Sequence, residues 1–311
     1  MSLTVVGSIA FDAVETPAGK RDRLLGGAAV HFALASSFLA ETRVVGPVGD
    51  DFGDAEYEVL RSRGVVTDDI EHVPGGKTFF WSGRYQRDVN IRDTLQTDLN
   101  VFEHFEPKLS EASRSAETLF LANIQPDLQR AVREQCDQAR FSALDSMNLW
   151  IDIAHDSLVR TIGLVDCVVL NDAELKELTD EPNLVRAARE VLELGPRIVV
   201  AKQGEYGAAM FTREGFFGLP AYPVEDVVDP TGAGDSFAGG FLGFIAAHAD
   251  EELSGELLRR AMAYGTALAS FNVEAFGTER MQTLTAAEVT DRVAELQRIT
   301  RFEDVPIALR A

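Results

Sequence analysis

The densest concentration of chemistry-bearing residues is the run VVDPTGAGDSFAGGFLGFIAAH, Val227 to His248, in which a glycine-rich turn leads into an apolar helical stretch. Gly232 and Gly234 let backbone N–H groups approach an anion closely, and the following helix N-terminus adds the positive end of its dipole. A phosphate group fits such a place. Asp235, at the helix start, stands where an alcohol can hand it a proton, while the turn Gly232, Ala233 and Gly234 stabilises charge on a phosphoryl group in transit. A lone GxG more often serves only tight helix packing; here a carboxylate follows it at once. Two common nucleotide motifs are disfavoured, because Phe237 occupies the third glycine position of a dinucleotide fingerprint and no GK[ST] follows as in a P-loop.

Elements able to position this turn are legible along the chain. Short apolar, β-branched runs at Leu3 to Val6, Arg43 to Val48, Thr118 to Ala122, Phe141 to Asp145, Cys167 to Leu170 and Arg197 to Ala201 read as buried strands. Helical stretches lie between them at Ala28 to Ala40, Ala55 to Arg63, Leu128 to Arg140, Asp172 to Thr179 and Leu184 to Glu193. That alternation predicts an α/β fold with a mainly parallel sheet and helices on both faces. Two segments break it, 13–25 and 75–105, the second mixing β-formers, aromatics and charges in TFFWSGRYQRDVNIRDTLQTDLNVF. They are expected to form a small discontinuous β-lid beside a core made of 1–12, 26–74 and 106–311. Such an appendage often excludes water from a reaction site.

Taken together, the motifs resemble the ribokinase-like (PfkB) carbohydrate and nucleoside kinases. DPTGAGDSFAGGF is similar to that family's C-terminal signature, and further matches follow in the family's order: VVGSIAFDAV, GGAAVHFALASSFLA, VVGPVGDDFGDAEYEVLRSRGV, NDAELKEL and AKQGEYGAAMF. The resemblance spans nearly the whole chain and implies a three-layer α/β/α sandwich that moves the γ-phosphoryl group of MgATP to an alcohol. It implies Asp235 as base, with Gly232, Ala233 and Gly234 as the anion hole. Asn171 and Glu174 would organise Mg²⁺ through its waters, a task suited to oxygen ligands. Lys202 and Gly204 fall in the turn that contacts nucleotide, with Thr231 and Asn272 also on the nucleotide side. Asp229 and Thr231, with the SFNVEAFG loop, resemble the monovalent-cation site, for K⁺, of some members. Outside this context Glu174 and Lys202 would read as solvated surface residues.

For the acceptor, Asp12 suits adjacent hydroxyls, and Gly26 and Gly27 allow a polyol close to the backbone; taken singly, these glycines read as a helix-entry turn. The family frequently has Asn where this chain has His31. An imidazole there can donate, accept or titrate, or simply be a satisfied buried residue. Trp81, Arg84, Tyr85 and Arg92 are placed to close over the acceptor, with Arg84, Arg87 and Arg92 suited to a phosphate or carboxylate, though a sheet-edge or subunit-contact role fits them equally. Asp145 and Asn148, in DSMNLW after a strand, are second-rank candidates, since ligands collect at strand ends of open parallel sheets. The acceptor is expected to be a sugar, with a nucleoside as the alternative suggested by SFNVEAFG, and a phosphosugar as a third. Outside catalysis, a silent sugar or nucleotide sensor is the rival, and the complete GAGD run argues against it. An NAD-linked oxidoreductase would need a GxGxxG after the first strand, which VVGSIAFD does not supply.

Bulk properties narrow the partners. The 311 residues, 46% apolar and 25% charged, suffice for a large core, and no apolar run is long enough for a membrane span. Fifty acidic against 29 basic residues give a net charge of −21, a field that repels nucleic acids and anionic membranes. The acidic excess is spread along the chain, as in proteins of salt-loving organisms. Cys136 and Cys167 show neither a metal nor a disulfide pattern, and the N-terminus lacks a basic signal region, so a cytoplasmic location is expected. An exposed lid edge would allow a homodimer.

Overall fold

The structure, a computed structural model, describes residues 2–302. In chain order its elements are β1 (Ser2–Val6), β2 (Ala10–Thr16), β3 (Gly19–Gly26), α1 (Ala28–Ser36), β4 (Glu41–Val48), α2 (Asp54–Arg61), β5 (Val66–His72), β6 (Phe79–Tyr85), β7 (Arg92–Asp98), α3 (Glu111–Arg114), β8 (Thr118–Leu121), α4 (Pro126–Gln135) and β9 (Phe141–Leu144). Then come α5 (Asn148–Ile162), β10 (Cys167–Asn171), α6 (Asp172–Thr179), α7 (Leu184–Glu193), β11 (Ile198–Lys202), β12 (Ala208–Thr212), β13 (Phe216–Leu219), α8 (Ala233–Ala247), α9 (Gly255–Asn272), α10 (Glu279–Thr283) and α11 (Ala286–Thr300).

The main sheet has nine strands in the order β13-β12-β11-β10-β9-β8-β1-β4-β5. Seven are parallel, from β5 to β11, and β12 and β13 extend the edge antiparallel. Each central strand is buried on both faces, which is why these strands read as continuous apolar runs. On β10, Cys167 and Val169 pack with α1, α8 and α9, whereas Val168 and Leu170 pack with α4 to α7. Helices therefore cover both faces of the sheet, giving the expected three-layer sandwich.

Helix α8 is apolar all round because it lies between α1 and α9. A Cβ on Gly239 would come within 2.3 Å of the Phe32 carbonyl oxygen, so the glycines of FAGGF permit that close approach.

The second sheet has the order β3-β2-β6-β7. Its strands begin at Ala10 rather than residue 13 and run through Gly26, so Asp12 belongs to this sheet. Val14, Tyr85 and Phe276 form a small cluster joined by Leu24, Trp81 and Val228, and the Thr16 hydroxyl donates to Val228 O at 2.7 Å. These contacts seat the sheet against the loops that flank the glycine turn. Among the described residues, no helix is long and apolar enough to cross a membrane.

Candidate active site

The carboxyl ends of β1, β8, β9, β10 and β11 and the inner face of the second sheet enclose one chamber of about 1160 Å³. This is where an open parallel sheet offers a site. Asp12, Gly27, His31 and Arg92 line it on one side, and Asn171, Glu174, Lys202 and Gly204 on the other, with Thr231, Gly232, Gly234 and Asp235 between them. The structure thus brings together most of the residues singled out above, including Asp145 and Asn148.

The glycine turn is built by its surroundings. Gly232 caps α8 with φ 75°, and a Cβ there would lie 2.2 Å from the His31 ring, so only glycine fits. Below it, Asn272 donates from Nδ2 to Thr231 O at 2.7 Å and accepts at Oδ1 from Ser236 Oγ at 3.0 Å. With Oδ1 an acceptor, the 3.0 Å contact to His31 Nδ1 is donated by the imidazole, leaving Nε2 as a buried atom without a partner. Burial holds the His31 pKa below its usual value, keeping the ring neutral. Asp229 is fully buried, and its oxygens accept from Thr231 N and Gly277 N, both at 2.9 Å.

Asp235 sits in the first turn of α8, and its carboxyl is pushed up to about 7 by burial and the nearby Asp145 carboxylate, opposed by Lys202 and Arg92. Asp12 is pushed up to about 7 by burial, then by Asp229 and Asp235, against a hydrogen bond from the Gly27 backbone. A Cβ on Gly26 would lie 1.9 Å from Asp12 Oδ2, so this glycine makes room for the carboxylate. Glu174 also rises to about 7 through burial and Asp145. Its Oε2 accepts from Asn171 N at 2.8 Å, and Asn171 Oδ1 accepts from Glu174 N at 2.8 Å, a capping box that starts α6. Lys202 Nζ lies 2.8 Å from Asp145 Oδ2. Three buried carboxyls with raised values facing one chamber mark a site prepared for cationic or proton-donating ligands.

Some expected residues lie elsewhere. Arg84 pairs with Glu15, Nε to Oε1 at 3.1 Å, and does not line the chamber. Phe79, Trp81 and Tyr85 of β6 face inward, and strand alternation turns Arg84 to the outer face. Asn272 is likewise no chamber residue; it is a scaffold beneath the turn, its amide bonded to Thr231, Ser236 and His31. Gly26 and Asp229 act from behind the lining.

Several lining residues have no signal in the one-dimensional pattern. Phe79 and Phe102, with ring centroids 5.8 Å apart, line the chamber together with Ile124 and Trp81, and Trp81 stands directly opposite Asp12 in the β2–β6 register. Asn123 follows β8 and accepts at Oδ1 from Trp150 Nε1 at 3.0 Å, which leaves its NH₂ free to donate. On β7 the lining residues are Arg92 and Thr94, then Thr97, because an irregularity in pairing opposite Ser82 and Gly83 absorbs one extra residue. The Tyr85 hydroxyl accepts from Thr231 Oγ1 at 3.1 Å, and a Cβ on Gly204 would lie 2.7 Å from Asn90 Oδ1, so the end of β6 reaches the glycine turn and the β6–β7 connection reaches Gly204.

A family model described as pfkB family carbohydrate kinase matches residues 2–284. A cytidine kinase of Thermococcus kodakarensis is 27% identical over 248 residues, covering 78% of this chain and 87% of that protein. A fructokinase of Klebsiella pneumoniae is 28% identical over 267 residues, covering 78% and 84%. The solved nucleoside kinase of Methanocaldococcus jannaschii, an archaeal member of the ribokinase family, superposes with a TM-score of 0.76 at 20% identity over 94% of this chain and 98% of that one. With the match covering nearly the whole chain and the same fold recurring in these structures, the chain belongs to the pfkB family of carbohydrate kinases and is an ATP-dependent kinase.

Proposed function

We propose that this kinase phosphorylates a nucleoside, transferring the γ-phosphoryl group of MgATP to a ribose hydroxyl. The observation that carries this is the apolar lining of Phe79, Trp81, Phe102 and Ile124, with Trp81 opposite Asp12, and the free Asn123 amide in the same chamber. A bare sugar held by Asp12 and Gly27 leaves that wall uncovered. A nucleobase fills it, stacking on aromatic faces and accepting from Asn123.

Asp12 and the Gly27 backbone orient the ribose. Asp235 takes the hydroxyl proton as the oxygen attacks the γ-phosphorus, and the bond to the bridging oxygen breaks with its electron pair leaving on ADP. Amides of the Gly232 to Gly234 turn stabilise the charge on the transferred group. Among the described residues, no cluster of three or more acidic, His or Cys side chains stands ready to ligate a metal directly. Mg²⁺ prefers oxygen ligands and keeps water, so the raised Glu174 carboxyl with Asn171 suits an ion held through water beside the ATP phosphates. When bound, Mg²⁺ neutralises phosphate charge.

The second sheet acts as the lid beside the catalytic core, with 10–26, wider than the expected 13–25, and 75–105 as its two segments. A K⁺ ion would share Asp229 with the two backbone amides. The exposed strand β7, with Leu95 53% exposed, suits pairing in a homodimer, and a cytoplasmic setting keeps Cys136 and Cys167 as free thiols.

The test is ADP release from MgATP with cytidine, inosine, adenosine, ribose, ribose 1-phosphate and fructose, with and without KCl. A nucleoside is expected to exceed ribose and fructose by at least about tenfold in kcat/KM, and Trp81→Ala to erase most of that margin. Preference for a free sugar, unaffected by Trp81→Ala, rejects the nucleoside assignment while leaving the kinase intact.

A further inference from the structure

One ammonium stands among the carboxylates of the chamber. Lys202 ends β11 opposite Asn171 of β10, and its Nζ is 2.8 Å from Asp145 Oδ2 with the side chain only 16% exposed. Asp145 is itself held, because its Oδ1 accepts from Ser146 N at 2.8 Å. A Cβ built on Gly234 would lie 3.0 Å from Lys202 Nζ, which places the ammonium directly against the anion-hole turn. Gly234 directly precedes Asp235, so the ammonium reaches from the Gly204 side of the chamber to the turn that carries the base.

The geometry points to Lys202 as a catalytic residue of phosphoryl transfer, its ammonium touching the equatorial oxygens of the γ-phosphoryl group beside the amides of Gly232 to Gly234. Asp145 is the positioning residue that aims it. The role fits the chemistry of the step, in which charge spreads over three oxygens while the acceptor oxygen bonds to phosphorus and ADP departs with the bridging electron pair. The acceptor's proton goes to Asp235, and Lys202 keeps its own proton throughout. Burial works against the ammonium, but Asp145, Glu174 and Asp235 outweigh it and raise its pKa, so the charge is present at neutral pH. A partly buried ion pair adds little to folding on its own, whereas a preorganised cation beside a phosphoryl site acts on the transition state.

This inference rests on the kinase activity but not on the choice of nucleoside over sugar. The first experiment compares Lys202→Met, Lys202→Arg and Lys202→Cys with wild type, using the acceptor in the panel above that wild type turns over fastest. Lys202→Met is expected to lower kcat by about 100-fold or more while acceptor KM stays within about threefold. Treating Lys202→Cys with 2-bromoethylamine rebuilds a lysine-like ammonium and is expected to restore at least about a tenth of wild-type kcat. The reagent selects the introduced thiol, since Cys136 and Cys167 are fully buried.

A second measurement needs no acceptor. Wild type is expected to hold MgADP with aluminium fluoride at least about tenfold tighter than MgADP alone, and Lys202→Met to lose that margin with MgADP affinity unchanged. A kcat within about threefold of wild type in Lys202→Met, an unrescued Lys202→Cys, or an intact aluminium-fluoride margin in Lys202→Met each overturns the assignment.

Discussion

Replacing the base should make the ligand-free protein more stable. Asp235 is held at about 7 against the ordinary 3.8, chiefly by burial. In the unfolded chain this carboxyl ionises near 3.8, so between roughly pH 4 and 7 the folded state keeps a proton that the unfolded state releases, and stability falls as pH rises. Above the folded value the full penalty applies. At about 1.4 kcal/mol per unit, a shift of this size costs on the order of 4 kcal/mol at pH 8. Asp235→Asn removes the titration, and with half the gain lost to the amide's own desolvation about 2 kcal/mol remains. For a chain of this size that corresponds to roughly 3 °C in Tm. Thermal unfolding of both proteins, ligand-free at pH 4, 6 and 8 and at fixed salt, should show the two Tm values converging at pH 4 and the variant ahead at pH 8. Glu174 titrates over the same range in both proteins, whereas Asp12, relieved of the Asp235 charge, moves down in the variant and adds to its advantage. A variant no more stable than wild type at pH 8 refutes the account of Asp235 as a buried, costly carboxylate.

Two further outcomes follow from the geometry. Gly26→Ala puts a methyl group where Asp12 Oδ2 now lies, so acceptor KM should rise by at least about tenfold while MgADP affinity, read by calorimetry, stays unchanged. Arg92→Gln removes a cation that lowers the carboxyl values of Asp12, Asp235 and Glu174, so the acid limb of the kcat/KM profile should move to higher pH; an unmoved limb would place Arg92 outside the chamber's field.

The parallel core was legible because its strands are buried on both faces and so are uniformly apolar, as in CVVLN of β10. The glycine turn was legible because a positive φ and a close approach both demand glycine, leaving GAGD as a local mark. What escaped depends on distance and parity. Strand alternation sends Arg84 outward and Trp81 inward, and no composition reveals which face is which. The extra residue absorbed on β7 breaks that alternation, so Thr97 faces the chamber out of phase with Arg92. Asn272 looks like a loop ligand in sequence, yet its three partners come from α1, α8 and the glycine turn, a meeting set only by tertiary packing. The aromatic wall joins residues from β6, a short turn after β7 and the end of β8, with no shared spacing.

Strand β2 pairs with β3 on one side and with β6 on the other, while β4, α2 and β5 of the main sheet intervene in the chain between β3 and β6. The cover over the chamber therefore cannot be inherited, excised or exchanged as a single cassette. A chimera that takes only Phe79–Asp98 from a relative would seat foreign strands against a resident β2 that carries Asp12, so acceptor preference and the strand bearing its hydroxyl-reading carboxylate must change together. Synthesis imposes the same order: β2 and β3 emerge first as a lone hairpin and gain their remaining partners only after the first edge of the main sheet has been made.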